Sequence, residues 1–507
     1  MDVPAHPVLA GCHPDPSVCR VGEHFYLVTS TFTYVPGLPV HRSIDLVAWE
    51  LVGHVLTDAS AIGLDGLDVS DGVWAPTIRH HDGTFYVVFT VAVERRAACT
   101  YVCTATDAAG PWSAPVPLDA HGIDPSLFFD DDGRCWFTAA RDAVSVHATG
   151  PGELWMRELD VAALRLVGPE YVLWHGALAG QWVEAPHLYR RDGRYVLIAA
   201  EGGTERNHAV TAAYADAVTG PYSTDPRSPL LTHRHLSPHH PVQNVGHVDL
   251  VDTADGRTLA VALGVRLLDG CHVLGRETFV VPVDWDDHRP VFAAGLGRLG
   301  PIDGAGVSEE RDWVGVRDLP AHSWAGDDLT LSAGPHPLSE RGRMSFVGLR
   351  QDRHDAVLEG TIDTPRGGGR ARALVAFQHQ DRFVAHTLLR NEDGSSRIET
   401  VLWADGAPIV LGTAAGHESE RLLVETDGRR YRFGARRDGA IRWTAQLAAR
   451  LLSTEDAGGF VGVLLGFSNL GDDRDEPAVI RDVRYGTATA EAGDPELRRT
   501  TSVGGMR

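Results

Sequence analysis

Through roughly the first 300 residues, hydrophobic side chains come in short strand-length runs broken by polar turns, and helix-period stretches are almost absent. Five segments repeat one design: HPDPSVCRVGEHFYLVTS, WAPTIRHHDGTFYVVFT, IDPSLFFDDDGRCWFTAA, EAPHLYRRDGRYVLIAA and GHVDLVDTADGRTLAVAL. Each opens on a distinctive residue, runs through an apolar strand, turns and runs back. Four of the five turn on Asp-Gly, a strong hairpin signal. The opening positions are Asp15, Ala75, Asp124, Glu184 and His247, spaced by 60, 49, 60 and 63 residues. Between them lie further strand pairs, such as SIDLVAWELV and TDAAGPWSAPVPL, with an acidic residue shortly before an aromatic one. Each unit therefore holds about four strands, the size of a propeller blade. The prediction is an all-β chain with a five-bladed β-propeller over residues 1–300, and parallel α/β folds are disfavoured.

Beyond residue 301 the repeat stops. PIDGAGVSEERDWVGVRDLPAHSWAGDD is irregular and is read as a linker over 301–326. Alternation returns in RARALVAFQHQDRFVAHTLLR and GGFVGVLLGF, with polar glycine-rich turns, which predicts a β-sandwich over 327–487. Residues 488–507 read as a disordered tail.

In a propeller the innermost strands start near the central channel, so equivalent positions converge at one end of the axis. Here they would bring together Asp15, Asp124 and Glu184, with His247 from the fifth blade. Asp15 lies between Pro14 and Pro16, which restrict the backbone on both sides and fix where its carboxylate points. Clustered acids suit acid/base chemistry, because like charges and burial raise the pKa of one member. Two carboxyls flanking a glycosidic bond are the usual glycosidase machinery. Taken singly, each acid could merely accept hydrogen bonds from strand-start amides; their recurrence in register favours chemistry.

The sequence resembles glycoside hydrolase family 43, in its β-xylosidase and α-L-arabinofuranosidase branch with a C-terminal β-sandwich. The resemblance rests on GCHPDPSVCRVGEHFYLVTSTF, GVWAPTIRHHDGTFYVV, GIDPSLFFDDDG, EAPHLYRRDGRYVLIAAEGGT, VQNVGHVDLV and LGRETFVVPVDW, in that order. It implies a five-bladed propeller followed by a concanavalin-like sandwich, and hydrolysis with inversion. Asp15 would be the general base, Asp124 the carboxylate that tunes and orients the acid, and Glu184 the general acid. Trp182, two residues before Glu184, would share its face of the strand. Arg276 would contact sugar hydroxyls and the acids; the alternative is a surface arginine paired with Glu277. Phe32 and Trp74 would wall the sugar, or else be core aromatics. His13, His208 and Gln243 are weaker substrate-binding candidates. His247 is the candidate metal ligand, for a structural Ca²⁺ in the channel, although no cofactor is required. From the sandwich, Phe467 is the candidate for the site's rim, or else a core residue.

Composition narrows the reading. The net charge of −22 argues against nucleic acid and anionic membranes as partners. The expected partner is an oligosaccharide, and a homo-oligomer is the expected assembly. All 46 basic residues are arginine, which excludes Schiff-base chemistry and a phosphate-loop lysine. The six cysteines and the lack of a visible secretory signal suggest a cytoplasmic setting. Two motifs fail their context: GLGRLG at 295–300 is followed by Pro301 and not a helix, and DDDGR at 130–134 lacks the last ligand of a calcium loop. The leading function is an exo-acting glycosidase releasing terminal xylose, arabinofuranose or both. The segments ERRAAC and AALRLVGPEYVLWHG depart from the branch pattern and leave that choice open. A non-catalytic sugar-binding propeller, or a hydrolase of arabinan or fructosides, stays as the alternative.

Overall fold

The structure is a computed structural model that describes residues 5–144, 148–178, 180–302, 304, 312–366, 370–471 and 477–488. Five four-stranded antiparallel sheets follow one another along the chain. The first contains Ser17–Val21, His24–Val28, Gly37–Ser43 and Glu50–Leu56. The other four open on inner strands Gly72–His81, Ile123–Phe129, Val183–Arg191 and Val242–Asp252. The last sheet meets the chain's beginning where Leu9 pairs with Thr278, closing a five-bladed propeller. No helix among the described residues is long and apolar enough to cross a membrane.

The inner strands share a defect that matters for the site. Their ladders slip between Trp74 and Thr77, Ile123 and Ser126, Glu184 and His187, and around Gly246. At each slip a non-glycine residue has positive φ: Ala75 (38°), Asp124 (55°), Ala185 (52°) and His247 (47°), matched in the first blade by Asp15 (54°). Such bulges bend a strand and re-aim the side chains next to them. The repeat position in the fourth blade is therefore Ala185 and not Glu184, which stands one residue earlier. The consistent marker is the following proline: Pro16, Pro76, Pro125 and Pro186.

Two to four residues past each bulge, side chains tie the blades together. The buried Asp249 accepts from Ser17 Oγ at 2.6 Å, Tyr189 Oη at 2.7 Å and both terminal nitrogens of Arg79 at 2.7 and 3.0 Å. Burial opposes the Asp249 charge, but Arg79 outweighs that and holds the carboxyl well below its usual range. Ser126 and His187 add a bond of 2.9 Å between the third and fourth blades.

The sandwich consists of an eight-stranded and a seven-stranded sheet. It starts earlier than residue 327: Trp313–Val316 joins the first sheet and His322–Ala325 the second, so much of the expected linker is strand. Its short strands, broken by Pro320 and flanked by glycine, hide their alternation. The predicted tail, apart from Ala488, lies outside the described residues.

The eight-stranded sheet runs into the propeller. Tyr34–Val35 of the first blade pairs with Val316 and Gly315. Phe32, Tyr34 and Val69 of the propeller share one core with Val314, Val316, Phe346 and Val461 of the sandwich. Each such buried side chain contributes about 1.5–3 kcal/mol. A chain ended near residue 310 is expected to be poorly soluble, or to lose more than about nine-tenths of its activity, because this apolar face is uncovered. Expression, light scattering and turnover of an aryl glycoside check this. A soluble propeller with unchanged turnover would show the sandwich to be an independent appendage.

Candidate active site

At the channel end where the bulges converge lies a cavity of about 220 Å³. Asp15, Asp124, Glu184, Arg276, His208, His247, Phe32 and Trp74 all line it. His13 and Gln243 do not. His13 lines a larger cavity of about 330 Å³ between propeller and sandwich, with its ring edge-on to His41. Gln243 donates to the carbonyls of Ser237 and His240. Thus two of the weaker candidates fall outside, although both are close in sequence to residues inside.

Asp15 is held on three sides. Arg276 donates to its two oxygens at 2.9 and 3.4 Å, and Ser30 Oγ donates at 2.6 Å. Ser30 Oγ in turn accepts the amide of Ala75 at 2.6 Å, tying the bulge of the second blade to the carboxylate of the first. His247 Nδ1 stands 3.7 Å away. Burial opposes the charge on Asp15, yet Arg276, His247 and Ser30 together hold its carboxyl below its ordinary value. Arg276 is only 8% exposed, and Glu277 is bound instead by Arg266 at 2.7 Å, so the surface-pair alternative for Arg276 fails.

Asp124 accepts the amide of Ala185 at 3.1 Å, a link from the third blade to the bulge beside Glu184. Its carboxyl is pushed well up, by burial first and then by Glu184 and Asp15. Glu184 is raised to about 7, again by burial first and then by Asp15, with Arg276 and a hydrogen bond from Trp182 pulling the other way. The two acids behave as a pair that keeps a proton to neutral pH, while Asp15 stays ionised. The pocket thus brings an ionised carboxylate, Asp15, together with a carboxyl pair that holds a proton, the division of labour that acid/base hydrolysis needs.

His208 is buried and its pKa falls to about 4, mainly through burial, so the ring is neutral. Nδ1 sits 2.9 Å from the carbonyl of Asn244 and must carry the proton, which leaves Nε2 an acceptor without a partner among the described residues. Gly246 makes room for this ring: a Cβ there would lie 2.5 Å from it.

His247 does not suit Ca²⁺, which takes roughly six to eight oxygen ligands. Its carboxylate neighbour, Asp15, is already engaged by a guanidinium and a hydroxyl. No group of three His, Cys, Asp or Glu side chains among the described residues is arranged to hold a metal ion.

Phe32 is both wall and core, 1% exposed, lining the cavity and packed into the shared domain core. The remaining wall comes from the sandwich and is Phe460, not Phe467. The Phe460 ring stacks on Phe32 at 6.5 Å and meets Trp74 edge-on at 5.7 Å. Phe467 is fully buried in a strand that pairs with Val347. Thr204, Glu205 and Ile123 also line the cavity and were not foreseen; Thr204 Oγ1 accepts from Arg276 at 3.1 Å. The Gly-Gly pair just before Thr204 was the available signal for a loop that turns inward.

Comparison with known proteins agrees with this geometry. The description "Glycosyl hydrolases family 43" matches residues 4–290, and "Beta xylosidase C-terminal Concanavalin A-like domain" matches 311–485. A xylosidase/arabinosidase of Butyrivibrio fibrisolvens is 35% identical over 92% of this chain and 95% of its own. A non-reducing end alpha-L-arabinofuranosidase of Bacteroides ovatus is 32% identical over 91% of this chain and 90% of its own. The crystal structure of a xylan beta-1,4-xylosidase from Bacillus halodurans superposes with a TM-score of 0.86 at 29% identity, covering 95% of this chain and all of that one. With the catalytic domain, the sandwich and two nearly full-length relatives in agreement, this chain is a glycosidase and belongs to glycosyl hydrolase family 43.

Proposed function

We propose that this enzyme removes single terminal xylose or arabinofuranose units from short oligosaccharides, with inversion of configuration. Asp15 acts as the base that activates water. Glu184 is the acid that protonates the leaving oxygen, and Asp124 positions Glu184 and helps keep the pair protonated. Arg276 fixes Asp15 and reaches sugar hydroxyls. The bare Nε2 of His208 accepts a hydroxyl proton, and Phe32, Trp74 and Phe460 pack on the sugar faces. The observation that carries this reading is the pocket's pairing of one ionised and one protonated carboxyl around a volume sized for one sugar. The substrate class follows the relatives named for xylosidase and arabinofuranosidase activity. Release of nitrophenol from aryl β-xyloside and aryl α-L-arabinofuranoside tests it, with nuclear magnetic resonance reporting the anomer formed first. No release from either, alongside measurable sugar binding, would favour a non-catalytic binding propeller; release only from aryl fructosides, or cleavage only of arabinan, would move the substrate class.

The pH profile follows from the two acids. Asp15 must be ionised and its pKa is depressed, so activity persists down to below the usual carboxylate range. Glu184 must be protonated, so kcat/KM falls as pH rises through about 7. A Glu184→Gln variant is expected to lose that alkaline limb; a limb that stays would assign it to another group.

Phe460→Ala is expected to raise KM for xylo-oligosaccharides about tenfold, since one sugar–ring contact is worth roughly 1–2 kcal/mol. Initial rates over a range of substrate concentrations check this. An unchanged KM would remove Phe460 from the binding wall.

The setting proposed is cytoplasmic, supported by six unpaired cysteines, five of them buried. Homo-oligomerisation is proposed too, supported by the exposed apolar Ile409 and Val410 on a sheet-edge strand.

A further inference from the structure

Beside the catalytic cavity runs a larger groove of about 740 Å³, and the two share Trp74 and Ile123 as a common wall. Trp182 lines the groove as well, two residues from Glu184 and hydrogen-bonded to it. The acid that protonates the leaving oxygen therefore faces the groove's side of the pocket. A group attached to that oxygen would then extend along the groove.

The far wall carries Arg95 and Arg96, both exposed and both from the ERRAAC segment. Neither has an ion-pair partner among the described residues, in a chain whose net charge is −22. Arg141 also lines the groove, but Glu153 and Glu170 neutralise it at 2.9 and 2.7 Å. Among the lining residues Asp142 is the single carboxylate.

The turn that carries Arg95 is held in place. The two arginines sit at the tip of the hairpin Thr84–Val93 and Arg96–Ala105, closed by the two residues Glu94 (φ 52°) and Arg95 (φ 59°). Two consecutive positive φ values make a tight hairpin turn that favours glycine or asparagine, so the charged pair is strained there. The buried carboxylate of Asp71 fastens the strained turn, accepting the amides of Glu94 and Arg95 at 3.0 and 2.8 Å. The Arg95 guanidinium lies 5.6 Å from the centre of the Phe460 ring, and Arg276 lies 5.5 Å from the same ring. One aromatic ring thus separates the cation of the pocket from the cation of the groove.

We propose that this groove is a leaving-group site for acidic sugars: Arg95 and Arg96 bind the carboxylate of a uronic acid residue borne on the reducing-end side of the bond that is cut. The inference rests on the glycosidase reading given above. Guanidinium groups pair with carboxylates through parallel hydrogen bonds, and Trp74 and Trp182 offer flat faces to the sugar rings between. The enzyme would then trim xylose from oligosaccharides whose remaining part carries an acidic branch.

The test compares kcat/KM for a xylotriose with that for the same trisaccharide carrying a uronic acid on its leaving-group part, at low and high salt. The double variant Arg95→Asn, Arg96→Gln is measured alongside; asparagine tolerates the positive φ at position 95. The wild type is expected to prefer the acidic substrate by about fivefold at low ionic strength, with the preference shrinking at high salt. In the double variant the ratio is expected to fall to about one. A wild-type ratio at or below one, or a ratio the double variant leaves intact, would overturn the proposal. Calorimetric titration of an acidic xylobiose, the product, gives an answer that does not depend on turnover. Wild-type binding weakened about fivefold in the variant supports the groove, and no salt-sensitive binding refutes it. Failure of every aryl glycoside to react would instead strike the glycosidase reading, leaving the titration to decide the groove.

Discussion

Asp15→Asn is expected to lower kcat/KM by about 10²–10⁴-fold, on aryl xylosides and on xylo-oligosaccharides alike. The uniformity is the informative part. Water must be activated whichever group departs, so a better leaving group cannot compensate for a lost base. Asparagine keeps the size of the side chain and can still accept from Ser30, so the bulge at position 15 is preserved. The substitution also removes the carboxylate that Arg276 binds at 2.9 Å, leaving a guanidinium that is 8% exposed without that partner. Breaking such a buried pair costs about 3–5 kcal/mol, so the melting temperature must be followed together with the rate. One further sign separates a lost base from a loosened fold. Asp15 is the charge that raises Glu184 most, after burial itself. The alkaline limb of any residual activity should therefore move to lower pH in the variant. A loss that shrinks with an activated leaving group would put Asp15 in a different role.

Glu184→Gln is expected to split the substrates. Oligosaccharides, whose departing alkoxide needs a proton, should lose about 10²–10⁴-fold in kcat. Aryl glycosides with acidic phenols should lose far less, on the order of tenfold, since the phenolate departs unaided. A plot of log kcat against the pKa of the leaving phenol should be steep in the variant and shallow in the wild type. Equal slopes would show that Glu184 is not the acid. In that case Asp124 is the next group to examine, because its carboxyl is also pushed well up and it faces the same cavity.

The propeller was legible because its signals are local. Strand-length apolar runs and Asp-Gly turns recur at a regular interval, and each blade declares itself within about 60 residues of sequence. The three acids were legible for the same reason. The reading of Glu184 as the repeat position followed residue type, whereas the backbone follows the proline after Ala185. His13 and Gln243 show where closeness in sequence misleads: their neighbours Asp15 and His247 line the cavity, while their own side chains serve His41 and a loop. Phe460 could not be found by pattern. It lies outside any strand, after Gly458 and Gly459, and only the packing of the sandwich on the propeller carries it to Phe32 and Trp74. Phe467, in the regular strand, looked the better candidate because regularity is what a sequence displays, and regular strands build cores.

The place of Phe460 in the chain sets the timing of activity during synthesis. Asp15 leaves the ribosome first and Glu184 after it, but the ring that completes the pocket follows Asp15 by 445 residues. Tyr34 and Val35 likewise wait for Gly315 and Val316 before their sheet is complete. A nascent chain interrupted between the end of the propeller, near residue 300, and residue 460 carries every acid and an open cavity. Full hydrolytic competence is thus gained only once residue 460 has been added, and a product ended between the propeller and that point carries the acids without the ring that packs on the sugar.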